Sequence, residues 1–288
     1  MAFTAQDVKT LREMTGCGMM DCKKALTETD GDMDKAVEFL REKGLATAAK
    51  KAGRIASEGI VKAYIEGNVG VLVEVNSETD FVGKSDAFKS FVAEVANTLL
   101  ATKPANIDAA KEVTAQLFTD ATVKIGEKLD LRRFEIVTKT EEQSFGSYIH
   151  MGGKLAVLAL FNGHNAEATY GIAQHICGNN PTYVSQSDIP AEVIAKETAI
   201  QLEASKTDPK LAGKPAHILE NIIKGKVTKY FADSILLDQE YFLEEGKTVA
   251  QASKAAGVSC VSFVRYETGE GLEKRSENFA EEVQKQMK

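Results

Sequence analysis

Residues 76–84, with the sequence NSETDFVGK, are the stretch on which the interpretation of this chain depends. An apolar strand pattern ends just before it, and an amphipathic helix pattern begins a few residues after it. A polar turn between two rigid elements is a common place for residues that bind a partner. The local pattern leaves two interpretations open. Either Thr79 or Asp80 caps the helix while Phe81 packs into the core, or Phe81 is presented to a partner.

The strand pattern before this stretch belongs to a hairpin that the chain repeats. Residues 59–76 and residues 145–162 each show two strand-like runs joined by a glycine-containing turn. A helix pattern follows each hairpin, and matching strands, Leu131–Glu135 and Phe263–Glu267, end the two halves. The repeat predicts an α+β fold with a duplicated core, in which antiparallel hairpins are backed by helices.

Three short helices are predicted before the core. Thr4 can cap the first, the second spans about Met19–Glu28, and Asp32 can cap a third that ends with Gly44 at its C′ position. Residues 45–57 are rich in Ala and Lys and are only weakly amphipathic, which is typical of a linker. A helical unit this short is more often a small binding module than an enzyme.

An insertion in the second half has a helical pattern of its own. One helix opens at Pro190 and continues to about Ala204, and a second helix extends to about Phe231 after a loop rich in Pro, Gly and Lys. Two helices joined in this way predict an antiparallel arm, whose seam is too short to show a sustained heptad repeat. The pattern leaves open whether the arm is a dimer contact, a partner contact or a spacer.

The chain after the arm returns to the core. We expect a strand near Ile235–Leu237, a helix near Val249–Ala256 and a last amphipathic helix at about Asn278–Met287. The predicted parts are a three-helix N-terminal module with its linker (1–55), a first core half (56–140), a second core half (141–180 and 233–268), the inserted arm (181–232) and a C-terminal helical module (269–288).

The composition limits the classes of function. The chain has 35 Lys and Arg against 42 Asp and Glu, a net charge of −7, which argues against a general nucleic-acid binder. Its four cysteines show no metal-binding spacing and suit a reducing compartment. The first residues do not resemble a signal peptide, and no apolar run approaches transmembrane length. We therefore expect a cytoplasmic protein that does not contact a membrane.

The sequence contains no catalytic motif that we recognise. It lacks a phosphate-binding GxxxxGK[ST] loop, a dinucleotide fingerprint, and the GxSxG and HExxH motifs. The four histidines have no ligand-like spacing among themselves. We therefore expect no enzymatic activity, no metal and no cofactor. His150 is of more interest, because it lies on the second hairpin where Tyr64 lies on the first, and either residue could belong to the core.

Two motifs carry a resemblance to a known family. Residues 15–26, TGCGMMDCKKAL, and residues 74–82, EVNSETDFV, resemble the two signatures of the elongation factor Ts family, the guanine-nucleotide exchange factors of elongation factor Tu. The order of parts matches as well: a three-helix module like ubiquitin-associated domains, a two-part core, an inserted antiparallel coiled-coil arm and a C-terminal helix. The resemblance covers the whole chain. The full-length arm and the missing transit peptide indicate the bacterial type.

The resemblance implies a mechanism and a set of residues. The protein would bind elongation factor Tu in its GDP-bound and nucleotide-free forms, and the Asp80–Phe81 pair would insert beside the magnesium and phosphate site, so that GDP leaves and GTP rebinds. A homodimer or a 2:2 complex through the arm remains open. The exchange element of the family corresponds to Thr79, Asp80, Phe81 and Val82, and its other partner contacts correspond to Met19, Met20, Lys23, Lys51 and His150.

This sequence departs from the family pattern at a few positions. Cys17 and Gly83 stand where alanine is common, and Ile149 stands where the family has room for a polar residue. Gly83 could loosen the start of the helix after Phe81, since glycine is conformationally permissive. None of these differences changes the family to which the motifs point.

Two other classes of function compete with nucleotide exchange. One is an adaptor or scaffold that binds a partner through the N-terminal module. The other is a nucleic-acid-associated protein that uses Lys50, Lys51 and Arg54, which the net charge disfavours. The repeat itself favours a presented Phe81 with Thr79 as the cap, because the second hairpin ends at Phe161–Asn165 without a counterpart of the Asp80–Phe81 pair.

Overall fold

The computed structural model describes residues 3–15, 17–207, 211 and 215–273. The protein is α+β, as the sequence predicts, and its described residues form two compact units. The first unit comprises the chain up to Ile136, Ile149–Leu155 and the segment that starts at Tyr266. The second unit comprises Val137–Tyr148 and Ala156–Arg265.

The three predicted N-terminal helices are confirmed. They are α1 (Ala5–Thr15), α2 (Met19–Glu28) and α3 (Met33–Lys51). The cap of α3 is Asp32, whose carboxylate accepts a hydrogen bond from the backbone N–H of Lys35 at 3.1 Å. The core of this helical module consists of small and aliphatic side chains: Val8, Leu11, Cys17, Cys22, Ala25, Leu26, Ala36 and Leu40.

The first core half is a hairpin backed by helices. Strands β1 (Glu58–Glu66) and β2 (Val69–Ser77) pair antiparallel, with Ile60 opposite Val75 and Ala63 opposite Leu72, and β2 is the central strand of a three-stranded sheet. All residues of β2 are buried, and its valines pack against Phe88, Val92 and Leu99. The remaining elements of this half are α4 (Asp80–Lys84), α5 (Asp86–Thr102), α6 (Ile107–Ile125) and β3 (Asp130–Thr138).

One predicted helix end is wrong. Gly44 does not end α3, which continues to Lys51 and takes in half of the segment predicted as a linker. Gly44 is buried, and a Cβ at this position would lie 2.9 Å from Cγ2 of Val123 on α6. The glycine therefore lets α3 pack closely on α6. The helix α6 itself had no counterpart among the helices predicted from the sequence.

The second core half repeats the hairpin and the helix. Strands β4 (Gln143–His150), β5 (Leu155–Asn162) and β6 (Ser259–Glu267) form a second three-stranded sheet, and β5 is again central. Helix α7 (Ala166–Asn179) follows the hairpin and buries Ile172, Ala173 and Ile176. The predicted duplication is therefore visible in the order of the elements.

The inserted segment forms two helices, α8 (Ala191–Lys206) and α9 (Ala216–Ala232), as predicted. Val193 and Ile194 at the start of α8 pack against Val227 and Phe231 at the end of α9, so the two helices run antiparallel. This cluster also contains the buried side chains of Ile189, Ile223 and Ile235.

The predictions after the arm have mixed outcomes. The strand expected at Ile235–Leu237 is wrong: Ile235 forms only an isolated bridge with Tyr183, and Leu236–Asp238 is a 3-10 turn. The expected helix is confirmed as α10 (Val249–Ala255). The last predicted helix, Asn278–Met287, lies outside the described residues. Among the helices that the structure describes, none is both long and apolar enough to cross a membrane.

Candidate functional site

The turn after β2 contains a very short helix, α4, between two capping residues. Thr79 caps α4, and its hydroxyl accepts a hydrogen bond from the N–H of Val82 at 3.4 Å. Ser85 ends α4 and caps α5 by accepting a hydrogen bond from the N–H of Phe88 at 3.2 Å. A helix of five residues is far too short to be stable alone. Its conformation must therefore be held by contacts with the rest of the first unit.

Phe81 points away from the core. Its side chain is 81% exposed, the largest fraction among the large apolar side chains that the structure describes. The interpretation in which Phe81 packs into the core is therefore wrong, whereas the interpretation of Thr79 as a cap is confirmed. Burying a phenylalanine would contribute about 1.5–3 kcal/mol to stability. Phe81 contributes nothing of this kind to the fold, which is the expected property of a residue that binds a partner.

Two neighbours of Phe81 attach α4 to the first core half. Val82 is partly buried and packs against the core that lies between the first sheet and α5. Gly83 is buried, and a Cβ at this position would lie 3.1–3.3 Å from backbone atoms of Gly59 on β1. Gly83 therefore permits a close approach of α4 to β1, and it does not act only as a flexible position.

Asp80 stays charged beside the exposed ring. Its carboxylate accepts a hydrogen bond from Nζ of Lys84 at 2.5 Å, one helical turn further along α4. This hydrogen bond lowers the pKa of Asp80, and the positive charge of Lys154 adds to the effect. The site thus presents an ionised carboxylate next to a large apolar surface.

A carboxylate from a distant part of the chain holds the start of α4. The loop between α6 and β3 places Glu127 so that its oxygens accept hydrogen bonds from the backbone N–H groups of Glu78 and Thr79, each at 3.0 Å, and from the Thr79 hydroxyl at 2.6 Å. The sequence did not point to Glu127. Its partners are far away along the chain, and no local pattern marks it.

The N-terminal candidates lie on the first turn of α2. Met19 and Met20 are 45% and 74% exposed, so both thioether side chains are accessible, and neither fills the core. Lys23 is exposed one turn further along the helix. Flexible, polarisable methionines make adaptable contacts at binding surfaces. Lys51 is different, because its ammonium donates a hydrogen bond to the carbonyl of Gly126, next to Glu127.

His150 is exposed at the end of β4, whereas Tyr64, its counterpart on the first hairpin, packs against the first core half. The turn that begins at His150 belongs to the first unit. Within that unit, the carbonyl of Gly153 accepts a hydrogen bond from the N–H of Val61 at 2.7 Å, and Lys154 pairs with Glu58 at 2.5 Å. The unit that carries α4 therefore also carries His150.

A family model settles the class of the protein. The model of the family described as Elongation factor TS matches residues 78–270. The chain belongs to the elongation factor Ts family. Membership implies nucleotide exchange on elongation factor Tu, the activity of this family. The matched region begins at the turn that contains α4 and includes His150, while Met19, Met20, Lys23 and Lys51 precede it.

Proposed function

We propose that this chain is a bacterial-type elongation factor Ts that binds elongation factor Tu·GDP and inserts the Asp80–Phe81 pair beside the Mg²⁺ and phosphate site. GDP is then released and GTP rebinds. The observation that carries the proposal is the exposure of Phe81 on a helix that is itself held firmly to the core. An apolar ring that is exposed and well positioned can enter a partner without reorganising its own scaffold.

Nucleotide exchange of this kind requires differential affinity and no chemical step. The factor must bind nucleotide-free elongation factor Tu better than the GDP-bound form, and by reciprocity GDP then weakens the binding of the factor to the same extent. An aromatic anchor in an interface contributes ~2 kcal/mol or more. Mg²⁺ neutralises the phosphate charge, so displacement of the groups that position the ion weakens the hold on GDP. We therefore propose a binding protein without an enzymatic activity of its own.

The other candidate residues extend the contact surface in this proposal. The exposed pair Met19 and Met20 offers adaptable apolar contacts, Lys23 adds an exposed positive charge, and His150 adds an imidazole on the unit that carries α4. Lys51 supports the site indirectly, because its ammonium is bound to Gly126.

We extend the proposal to the assembly and to the compartment. The arm exposes apolar side chains, Ile200, Leu202 and Ile218, which support a contact with a second copy or with the partner in a 2:2 complex. A function in translation elongation places the protein in the cytoplasm. Size-exclusion chromatography with light scattering on the mixture with elongation factor Tu distinguishes a 1:1 from a 2:2 complex.

The direct experiment measures the release of a fluorescent GDP analogue from elongation factor Tu. Addition of this chain should accelerate release in the presence of excess unlabelled GDP, and the rate should saturate with the concentration of the chain. Release at the intrinsic rate of elongation factor Tu at every concentration of the chain would contradict the proposal.

The adaptor function is the alternative that a structural observation favours, since Met14, Met19 and Met20 are all exposed on the N-terminal module. The double variant Met19→Ala/Met20→Ala distinguishes the two functions. An adaptor would lose partner binding in this variant and would be insensitive to changes in α4. An exchange factor should depend on α4 for the rate of GDP release.

A further inference from the structure

The start of α4 and the loop after α6 hold each other through hydrogen bonds in both directions. Glu127 accepts hydrogen bonds from the N–H groups of Glu78 and Thr79 and from the Thr79 hydroxyl. In return, the carboxylate of Glu78 accepts a hydrogen bond from the N–H of Lys128 at 2.6 Å. We call these residues, Glu78, Thr79, Glu127 and Lys128, the brace. The brace fixes the two residues that lead directly into Asp80 and Phe81.

The core side of the brace is itself fixed. Helix α6 ends at Ile125 and is capped by Gly126, which adopts a positive φ of 85° and donates a hydrogen bond from its N–H to the carbonyl of Thr122 at 3.0 Å. Lys51 at the end of α3 donates a hydrogen bond to the carbonyl of Gly126. On the other side, Leu129 and Leu131 are buried as the chain enters β3. Glu127 therefore extends from a rigid point of the first unit.

Further contacts attach the Glu78 side of the brace. Arg54 approaches both oxygens of the Glu78 carboxylate with its Nη1 at 3.2 Å, and the ammonium of Lys128 binds the carbonyl of Arg54 at 2.8 Å. The Glu78 side chain is only 9% exposed, so this ion pair is shielded on the acidic side. Hydrogen bonds that involve an ionised partner are stronger than neutral ones. Each side of the brace thus contains one carboxylate, Glu78 or Glu127, that accepts hydrogen bonds from the other side.

A carboxylate fits this position better than any other side chain of the same length. Two acceptor oxygens serve two backbone N–H donors and one hydroxyl donor. Glutamine would offer one uncharged acceptor oxygen, which weakens its hydrogen bonds with the two N–H groups, and its N–H₂ group would face the Thr79 hydroxyl and force that hydroxyl to accept. Aspartate would keep both oxygens, but its side chain is shorter by one methylene. The two substitutions therefore weaken the brace to different extents without removing a core side chain.

We infer that Glu127 is a positioning residue for nucleotide exchange, which holds the start of α4 so that Phe81 is directed toward the partner. The inference rests on the proposed function. Val82 and Gly83 still attach α4 to the core when Glu127 is changed, so the fold remains while the direction of Phe81 is no longer fixed. Because exchange has no chemical step, the expected loss is the part of the Phe81 interface energy that a misdirected ring no longer contributes.

The test is a double-mutant cycle on the rate of GDP release from elongation factor Tu, with full-length variants. Glu127→Gln should lower the maximal rate at saturating factor by about tenfold, which corresponds to about 1.4 kcal/mol. The concentration of factor that gives half of the maximal rate should change much less, and Glu127→Asp should give an intermediate rate. In the Phe81→Ala background, Glu127→Gln should have no further effect, because the ring that it positions is gone.

Asp130→Asn is the matched control. Asp130 lies three residues after Glu127, forms an ion pair with Lys111 at 2.8 Å and does not belong to the brace. This variant should release GDP at the wild-type rate. Thermal unfolding of every variant shows whether the fold is kept, and Glu127→Asp replaces Glu127→Gln in the cycle if the latter does not fold.

Each outcome of the cycle decides a different claim. A wild-type rate for Glu127→Gln overturns the positioning role, and so does a loss of equal size in the wild-type and Phe81→Ala backgrounds; the proposed function survives both results. A wild-type rate for Phe81→Ala overturns the proposed function and the positioning role together.

Discussion

The two hairpins of the core are built alike but continue differently. After β2 the chain adds α4 before it enters α5, and Phe81 is exposed on that addition. After β5 the chain passes directly through Gly163 and His164 to Asn165, which caps α7 by accepting a hydrogen bond from the N–H of Ala168 at 3.1 Å. The second connection shows that a hairpin of this kind reaches its helix without a segment like α4. A hairpin of this kind therefore does not require the added segment to reach its helix, and the exposed Phe81 on it indicates a purpose other than packing.

The two connections are also held in different ways. Asn165 donates a hydrogen bond to the carbonyl of Ala256 at 3.2 Å, and Gly163 packs so closely on Gly257 that a Cβ would lie 2.4 Å from its carbonyl oxygen. The second connection is thus packed tightly against residues of its own unit. In the first half, Glu127 holds the backbone at Glu78 and Thr79 but leaves Phe81 in solvent. The connection after β5 is packed against its surroundings, whereas the connection after β2 leaves Phe81 exposed to solvent.

The largest expected effect on stability concerns the strands before the two connections. Glu74 on β2 is fully buried and binds Arg132 at 2.9 Å and Arg133 at 2.6 Å, whereas the equivalent position on β5 is the buried Leu160. The variant Glu74→Leu would place leucine at the same position in both strands. It would remove the acid of Arg132 and one of the two acids of Arg133, which keeps its ion pair with Glu270 at 3.0 Å. We expect a loss of about 3–5 kcal/mol in the free energy of unfolding.

Glu74 also accepts a hydrogen bond from the N–H of Gly269 at 2.7 Å, within the same unit. Urea unfolding of the wild type and of Glu74→Leu measures the loss. The variant Leu160→Met is the control, since a change of similar volume in the core costs less than about 1.5 kcal/mol. A stability of Glu74→Leu equal to that of Leu160→Met would show that the ion pairs do not hold the first half together.

A smaller effect is expected from the glycines of the two connections. Gly163 has a φ of 86° and lies against Gly257, so Gly163→Ala should destabilise the protein by ~2 kcal/mol or more. Gly83 is helical, and its Cβ would meet Gly59 at a tight but tolerable 3.1–3.3 Å. The gain in helix propensity offsets part of this crowding, so Gly83→Ala should cost about 1 kcal/mol or less. Thermal unfolding of the two variants gives the order of the two stability losses. A larger loss for Gly83→Ala would show that the first connection is the more tightly packed of the two.

The smallest effect is a pH dependence that belongs to the second unit only. His175 on α7 is buried, bonded to Gln239 at 2.9 Å and stacked on Phe242, and its burial lowers the pKa below the ordinary 6.5. Below pH 6.5 the unfolded chain binds a proton that the folded chain does not bind. The contribution of His175 to the free energy of unfolding should therefore be fully present above pH 6.5 and decrease as the pH falls below this value. The variant His175→Gln should show a flatter profile between pH 7.5 and pH 5, and an unchanged slope would exclude His175 as the cause.

The sequence predicted the parts of the fold whose patterns are local. The hairpins and α2 follow from alternation, helical periodicity and glycine turns. Helix α6 was missed because its buried face consists of small or polar residues, Ala110, Thr114, Ala121 and Thr122, which leave a weak apolar stripe. The extension of α3 beyond Gly44 was missed because it depends on Val123, a contact that only the folded chain reveals.

The candidate site was predicted in part for the same reason. The Thr79 cap is a local signal, and the exposure of Phe81 could be inferred from the missing counterpart in the second hairpin. The brace could not be predicted, since Glu127 reaches its partners through tertiary structure alone. The bond between Lys51 and Gly126 likewise joins residues that are distant in the chain.

The central claim is that Phe81 serves exchange and contributes nothing to the fold. The most direct test measures GDP release from elongation factor Tu and thermal unfolding on the same preparation of Phe81→Ala, with the exposed Val113→Ala on α6 as the control. We expect release to be slower by about 30-fold, from ~2 kcal/mol of lost interface energy, with a melting temperature within ~2 °C of the wild type. Wild-type release by Phe81→Ala, or a fall in melting temperature that accompanies the slower release, would contradict the claim.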